Sequence, residues 1–270
     1  MMLLTAIMIE AALLTAILVE PFYRLVYGRP LPSLAQAEQL GDGPQGLVVA
    51  LGGVGGLDLC GVGERYVLAS FGYPYAVEVF KWGHGFGRWY KDLVDVANHD
   101  DQARKLADLV RGFKERHPGS PVYLVAQSGG SGLVVRALEQ LDPRTIERAV
   151  LLSPALSPRY DLTLALRAVR RDVVVFWSPL DVIVLGLGTR LFGTMDRVWT
   201  VSAGLVGFKT PRRPPGLAPG LAPYDRLRQV KWRLAMAATG NLGGHLGPNS
   251  PRFLTKYVAP LLRLEIPGVD

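Results

Sequence analysis

The chain has 270 residues, enough for one large domain with a substantial hydrophobic core. Charged residues make up 20% of the sequence and hydrophobic residues 49%, which excludes an intrinsically disordered protein. The net charge of +7 is spread along the chain without a nucleic-acid-binding signature, so we expect no nucleic-acid partner. The single cysteine, Cys60, excludes an intrachain disulfide and a multi-cysteine metal site. We place Cys60 in a Gly-rich loop, expect an inert thiol, and expect neither a metal nor a cofactor.

Residues 1–29 form a predicted hydrophobic helix. Apart from two threonines and Glu10, residues 1–19 are apolar, and the run is close to the length that crosses a bilayer. It lacks the basic start and the cleavage site of a signal peptide. We therefore expect a membrane anchor, with the remaining chain in the cytoplasm because Arg24 and Arg29 follow the run. The alternatives are a helix lying on a membrane surface and a helix packed on a soluble cytoplasmic domain.

Residues 30–45 are rich in glycine, proline and polar residues and predict a linker, after which residues 46–270 form one domain. Short apolar runs predict buried strands, and apolar positions at helical spacing predict helices. The predicted strands are 46–51, 75–80, 122–126, 148–152 and 172–178, and the predicted helices are 100–117, 133–141, 161–169 and 252–264. This alternation predicts an α/β fold with a doubly wound, mostly parallel sheet.

One turn between a predicted strand and a predicted helix carries a candidate nucleophile. Residues 126–130 read Ala-Gln-Ser-Gly-Gly. They resemble the nucleophile elbow G-x-S-x-G of the α/β-hydrolase family, with alanine in place of the first glycine. A rival register makes Ser131 the nucleophile but puts Leu133 where the last glycine is expected, so we prefer Ser128. By itself the motif also fits a turn whose serine caps a helix.

The resemblance implies that an acid and then a histidine follow the serine in the chain. Of the four histidines, only His245 follows both Ser128 and a candidate acid, in a loop before the last predicted helix. We assign the acid to Asp181, in the turn after the strand at 172–178. Asp161 is the second choice, and Asp196 fits less well. A serine hydroxyl needs such a base, oriented by a carboxylate, to act as a nucleophile at neutral pH.

A Gly-rich turn, residues 52–56, follows the first predicted strand. In the resembled family a turn at this point supplies one N–H group of the oxyanion hole, and the residue after the nucleophile supplies the other. The resemblance therefore assigns the oxyanion hole to the N–H groups of Val54 and Gly129. The alternative for this turn is a phosphate-binding loop, although the lysine of a P-loop is missing.

The Gly- and aromatic-rich loop at residues 81–90 follows the second predicted strand. Because loops at the carboxyl ends of parallel strands form the binding sites of such sheets, we expect this loop to border the substrate. The predicted substrate pocket includes Gly53, His84 and Phe86. His84 also competes with His245 for the part of the catalytic base.

The cap domain that many relatives insert after the strand ending near Ser153 has no room here, because the next predicted strand begins at residue 172. The resemblance thus implies a small or absent cap and an open site, bordered by the Pro-rich stretch 203–223. It implies a serine hydrolase of the esterase or lipase kind that cleaves a small-molecule or lipid-like carboxylic ester. Acyltransferases and thioesterases use the same triad. The sequence is also compatible with a non-catalytic binding or scaffold protein of this fold and with a nucleotide-binding protein.

Overall fold

The computed structural model describes residues 21–40, 43–56, 58–212, 220 and 222–263. Within these ranges six strands form one sheet in which all neighbouring strands are parallel. The order across the sheet is β2-β1-β3-β4-β5-β6. The strands are β1 (Leu47–Leu51), β2 (Ala76–Val79), β3 (Val122–Gln127), β4 (Arg148–Leu152), β5 (Val173–Trp177) and β6 (Leu227–Lys231). The carboxyl ends of all six strands consequently lie along one edge of the sheet.

Helices connect the strands. The α-helices are α1 (Leu34–Glu38), α2 (Leu59–Ser70), α3 (Trp89–Val94), α4 (Val96–Arg116), α5 (Gly130–Leu138), α6 (Thr163–Ala168), α7 (Thr189–Phe192), α8 (Ala203–Val206) and α9 (Pro251–Phe253). Helices of the π type are Val182–Gly188 and Leu254–Val258, and 3₁₀ turns are Pro223–Arg226, Leu234–Thr239, Gly247–Asn249 and Ala259–Leu262. Residues 21–27 are also helical.

Side chains on the two faces of the sheet belong to two separate core clusters. Val49 and Leu124 pack in the cluster that includes residues of α4, α5 and α6. Val48 and Val125 pack in the other, with residues of α2 and of the last helical turns. Successive residues of a strand point to opposite faces, so each strand contributes to both layers. The predicted doubly wound parallel sheet is confirmed.

The strands that lie inside the sheet match their predicted bounds to within a residue or two. The strand at β6 was not predicted from the sequence, because this edge strand reads Leu-Arg-Gln-Val-Lys and is only partly buried. Of the helix α2, the sequence indicated only residues 67–70, as the end of a helix or a short strand, since two glycines and a buried glutamate interrupt its apolar pattern. Cys60 lies in the first turn of α2, buried, and not in a loop as predicted.

The long predicted helix at 100–117 begins earlier in the structure, as α4, because the Asp95 side chain accepts a hydrogen bond from the N–H of Asn98 and caps its start. The predicted final helix is broken into α9, a π-helical segment and a 3₁₀ turn. Pro260 lies in that last turn and has no N–H to donate, which accounts for the departure from α geometry.

Residues 30–40 of the predicted linker pack on the domain and are not a free linker. Ser33 caps α1, and Leu34 and Ala37 are buried against the main core. Residues 1–20, which hold most of the predicted membrane helix, lie outside the described residues. No helix in the described part of the chain is both long enough and apolar enough to cross a bilayer.

The short connection after β4 contains only a loop and α6, as expected for a chain without a large cap there. The longest connection instead follows β5 and runs to the 3₁₀ turn before β6. It includes the π-helix Val182–Gly188, α7 and α8. The backbone N–H of Ala203, in α8, donates to the carbonyl of Leu156, so this connection packs on the loop after β4. Part of the predicted Pro-rich stretch, residues 213–219 and 221, is outside the described residues.

Candidate active site

Ser128 lies in the tight turn between β3 and α5, at the carboxyl edge of the sheet. Its φ angle is +54°, a left-handed conformation that is unfavourable for a residue with a side chain. The N–H of Ser128 donates to the carbonyl of Leu152, which anchors the turn to β4. A strained residue at a strand-to-helix turn is the geometry of a nucleophile elbow, and it needs support from its surroundings.

That support depends on small residues around Ser128. A Cβ atom at Gly130 would collide with the carbonyl oxygen of Gly52. A Cβ atom at Gly53 would lie 3.0 Å from the Cβ of Ser128, and one at Gly129 would lie 2.9 Å from a methyl group of Val54. The glycines thus allow the turn after β1 to approach the elbow more closely than larger side chains would permit.

Three predicted site residues are brought together by the structure. His245 Nε2 lies 2.9 Å from Ser128 Oγ. On the other side of the ring, His245 Nδ1 lies 2.6 Å from Asp181 Oδ2. The Asp181 carboxylate is only 2% exposed, so its contact with the imidazole is shielded from water. The hydroxyl, the imidazole and the carboxylate form a continuous chain of hydrogen bonds.

The competing candidates for the nucleophile and the acid lie elsewhere. Ser131 is buried in α5, and its hydroxyl donates to the carbonyl of Ala126. The carboxylate of Asp161 accepts hydrogen bonds from the N–H and hydroxyl of Thr163. Asp196 binds the backbone N–H and the hydroxyl of Ser157. Neither carboxylate is the one that contacts His245.

The predicted oxyanion residues, Val54 and Gly129, lie next to each other beside Ser128. Among the backbone hydrogen bonds of the described ranges, neither of their N–H groups has an acceptor. Gly129 immediately precedes α5, where free N–H groups and the helix dipole favour negative charge. Two unpaired donors beside a hydroxyl can bind an oxygen atom on which charge develops.

The buried carboxylate of Asp92, in α3, holds the Gly-rich turn in place and was not identified from the sequence. Asp92 Oδ2 accepts from the N–H of Gly55 at 2.8 Å, and Oδ1 accepts from the N–H of His84 at 2.7 Å. A lone aspartate in an aromatic-rich helix gave no sequence signal. Because a carboxylate already occupies one amide of the turn, phosphate binding there is disfavoured.

His84 is held by two carboxylates. Its Nδ1 lies 2.9 Å from Asp92 Oδ1, and its Nε2 lies 3.2 Å from Asp95 Oδ2. With both ring nitrogens engaged, His84 is placed to orient the 81–90 loop and not to receive a proton from Ser128. The other two residues of the predicted pocket differ in position. A Cβ atom at Gly53 would lie 3.0 Å from the Cβ of Ser128, whereas Phe86 is exposed and its backbone lies near Gly56.

Further contacts hold the backbone of the site. The indole N–H of Trp82 donates to the carbonyl of Gly52 at 3.0 Å. The Gln127 side chain donates to the carbonyl of His245 at 3.2 Å, linking the histidine loop to the elbow. Both contacts depend on tertiary structure and left no local sequence pattern. In the described ranges no cluster of three or more histidine, cysteine or acidic residues could hold a metal ion.

The sequence matches the model of a protein family described as serine aminopeptidase, S33, over residues 76–190. This match includes Ser128 and Asp181 but ends before His245. No curated protein matches the chain.

Solved structures with similar folds include an esterase of Pyrococcus furiosus, with 11% identity, a TM-score of 0.46, and coverage of 82% of this chain and 83% of the esterase. The carboxylesterase CesB of Bacillus subtilis is 12% identical, with a TM-score of 0.41 and coverage of 84% and 86%. A predicted CIB-like hydrolase of Thermoplasma acidophilum is 13% identical, with a TM-score of 0.43 and coverage of 83% and 88%.

The family match and the parallel sheet both agree with the interpretation of the turn at Ser128 as a nucleophile elbow. The parallel sheet has helices on both faces, and Ser128 lies in a strained turn between its third strand and a helix. Aspartate and histidine side chains from later connections meet that serine in the order serine, acid, histidine. Residues 76–190 thus match the model of a serine hydrolase family, and the sheet, the elbow and the order of the three side chains are those that the resemblance to the α/β-hydrolase family implies.

Proposed function

We propose that the chain is a serine hydrolase that cleaves a carboxylic ester through an acyl-enzyme on Ser128. The observation that carries this proposal is the hydrogen-bonded series from Ser128 Oγ through His245 to Asp181, with contacts of 2.9 and 2.6 Å. A serine hydroxyl without a base is a poor nucleophile at neutral pH, and this series supplies both the base and the group that orients it.

In the first half of the reaction, Ser128 Oγ attacks the acyl carbon while His245 Nε2 takes the hydroxyl proton. Asp181 holds the proton on His245 Nδ1, so that Nε2 is free to accept, and stabilises the imidazolium that forms. The N–H groups of Val54 and Gly129 stabilise the negative oxygen of the tetrahedral intermediate. His245 then gives its proton to the departing alcohol, which leaves the acyl group on Ser128.

In the second half, a water molecule replaces the alcohol. His245 takes a proton from the water, and the resulting hydroxide attacks the acyl carbon. Collapse of the second intermediate releases the carboxylic acid and returns the proton to Ser128. An alcohol in place of water would give acyl transfer, and a thioester would react by the same steps. We place the substrate among small-molecule esters, including lipid-like esters.

The description of the matched family as serine aminopeptidases calls for a check on amide substrates. An aminopeptidase needs a carboxylate that can bind the substrate's ammonium group. Three carboxylates near the site, Asp92, Asp95 and Asp181, already bind His84 or His245. This arrangement favours a neutral ester over a peptide with a free amino terminus. Membrane attachment through residues 1–29 stays a prediction.

Hydrolysis of p-nitrophenyl butyrate by the full chain tests the proposal. We expect Ser128→Ala to lower kcat by about 10⁴-fold or more, as removal of a serine nucleophile does in other enzymes. Ser131→Ala is the matched control, since this hydroxyl is buried in α5 and should leave most of the activity. Full activity in Ser128→Ala would contradict the assignment. A folded wild type that hydrolyses no ester in a broad panel would favour a non-catalytic protein of this fold.

A further inference from the structure

Large apolar side chains are exposed around the mouth of the site. We define the site rim as residues 86–91, 180–192 and 242–246, the three segments next to the Gly-rich turn, Asp181 and His245. Ile183 is 78% exposed and Leu242 is 72% exposed. Exposed large apolar residues are ordinary when scattered singly, but a concentration of them at one place marks an interaction surface.

The rim segments touch each other and the site. The ring of Phe192 lies 5.2 Å from that of Trp89, and a Cβ atom at Gly55 would lie 3.3 Å from Trp89 Cβ. On the opposite side, a Cβ atom at Gly243 would lie 2.8 Å from a methyl group of Leu180. The exposed apolar side chains therefore form one surface that surrounds the mouth.

One rim residue, Leu246, also lines an apolar groove. This groove has a volume of about 280 Å³ and is lined by Phe22, Leu59, Leu246 and Pro251, among others. Leu246 follows His245 directly in the chain, so the loop that carries the candidate base also lines this groove. The groove extends the apolar surface from the mouth toward the helical residues 21–27.

The charges on the rim indicate which kind of partner would bind there. Asp181 is the single carboxylate in the three rim segments, and it is buried against His245. The exposed charged residues of these segments are Arg88, Lys91 and Arg190. Exposed apolar and aromatic side chains interspersed with cations are the composition that binds an anionic lipid–water interface. A water-soluble protein partner would more often require charges of both signs.

We propose that the site rim docks on an anionic lipid surface, so that esters held in that surface enter the site without crossing water. The inference rests on the proposed ester hydrolysis for its substrate class, which it narrows to esters of lipids. Docking itself depends only on the rim. Ile183, Leu187 and Leu191 bury their side chains at the level of the headgroups, and Arg88, Lys91 and Arg190 contact the anionic groups.

Cosedimentation with vesicles tests the docking apart from catalysis, if the full chain carries Ser128→Ala. The vesicles contain equal parts of phosphatidylcholine and phosphatidylglycerol. We expect the parent to bind, and the added pair Ile183→Asp and Leu187→Asp to lower the partition coefficient by about tenfold or more. Leu40→Asp is the matched control, because Leu40 is 73% exposed and precedes β1, at the opposite edge of the sheet. It should bind as the parent does.

A second comparison tests the charges. Arg190→Gln should lower binding to the mixed vesicles by about fivefold and change binding to pure phosphatidylcholine little. Equal binding by the parent and the Ile183→Asp, Leu187→Asp variant would overturn the proposal, because it would assign attachment to another part of the chain, such as residues 1–20. Absence of vesicle binding by the parent would also overturn it, as would a dimer in solution that the rim substitutions dissociate.

The two proposals can fail separately. A wild type that hydrolyses soluble esters but does not bind the vesicles would refute the docking alone. Vesicle binding that depends on the rim, in a wild type that cleaves no ester, would refute the proposed function alone.

Discussion

Ser128, Asp181 and His245 come from turns that are far apart in the chain and still meet. Each belongs to a connection that follows a strand of the same parallel sheet, namely β3, β5 and β6. Because these strands end at the same edge, their connections converge there. The geometry at Ser128 is strained, with φ at +54°, and its position is stabilised by hydrogen bonds on both sides of His245.

Asp181→Asn tests the role of the buried carboxylate. We expect kcat for p-nitrophenyl butyrate to fall by about 10⁴-fold, because an amide favours the wrong tautomer of His245 and does not stabilise the imidazolium. The matched control is Asp161→Asn, whose carboxylate binds Thr163 and Tyr224 away from His245. Steady-state kinetics with circular dichroism as a check on folding would measure the effect. Comparable losses in the two variants would refute the assignment of Asp181.

Glu64, in α2, is a second unusual residue, and it lies outside the candidate catalytic residues. Neither carboxylate oxygen has a hydrogen-bond partner in the described part of the chain. Burial raises the pKa of Glu64 from 4.5 to about 8. Between these two values the unfolded chain has lost the proton while the folded protein still holds it. The free energy of unfolding therefore falls as pH rises through this window, by about 1.4 kcal/mol per pH unit from this group.

Glu64→Gln should remove that dependence on pH. We expect the variant to gain stability relative to wild type as pH rises from 5 to 8, and to differ little below the unfolded pKa of 4.5. Urea unfolding at a series of pH values gives the comparison. Glu115→Gln, on the exposed side of α4, serves as control and should follow wild type. If the free energy of unfolding depends on pH in the same way in Glu64→Gln and in wild type, Glu64 is ionised in the folded protein and the raised pKa is wrong.

At the scale of the elements, the close approach of β1 to α5 forms the site. The turn after β1 lies against the start of α5, where a Cβ atom at Gly130 would overlap the carbonyl oxygen of Gly52. This contact brings Val54 beside Gly129. The distance between the two elements therefore determines whether both predicted oxyanion donors can reach the same oxygen.

Gly130→Ala tests this packing. We expect a loss of about 1–3 kcal/mol in the free energy of unfolding, because backbone must move to admit the methyl group. The second expected effect is a lower kcat, since the Gly52 turn would move away from Ser128. Gly119→Ala is the matched control, because a Cβ atom there meets no neighbour within 4 Å. Denaturant unfolding and ester kinetics measure the two effects, and wild-type values for Gly130→Ala in both would contradict the packing argument.

The elements differ in how well the sequence predicts them. The inner strands β1, β3, β4 and β5 are buried on both faces, so each appears in the sequence as a continuous apolar run. The strand β6 is at the edge, and its alternating polar residues resemble a loop. The helix α2 packs its glycines against Val79 and Leu254, a reason for glycine that local propensity does not register.

The residues of the candidate site also differ in how well the sequence predicts them. Ser128, Asp181 and His245 could be predicted because their chemistry, order and position after strands agree with the α/β-hydrolase pattern. Asp92, Trp82 and Gln127 could not, because each acts through a contact with a distant segment. His84 was predicted to line the pocket or compete as base; in the structure it lies between two carboxylates, and its place in the substrate pocket stays a prediction. Only the tertiary arrangement distinguishes these roles.

Across the whole molecule, the carboxyl edge of the sheet combines the candidate catalytic residues with the site rim. The sequence indicates that a large cap after β4 is absent, and the structure agrees. The sequence does not reveal that the longest connection, after β5, exposes Ile183 and Leu187 to solvent at the mouth of the site. An apolar run such as Val-Ile-Val-Leu normally predicts burial, because exposure of so many apolar side chains is unfavourable in water.

The central claim is that Ser128 is an activated nucleophile, and intact-mass labelling with a fluorophosphonate tests it most directly. The reagent bonds to a reactive serine oxygen and releases fluoride. We predict one adduct per wild-type chain, none on Ser128→Ala, slower labelling of His245→Ala, and normal labelling of Ser131→Ala. Equal labelling of Ser128→Ala and wild type, or no labelling of a folded wild type, would contradict the account.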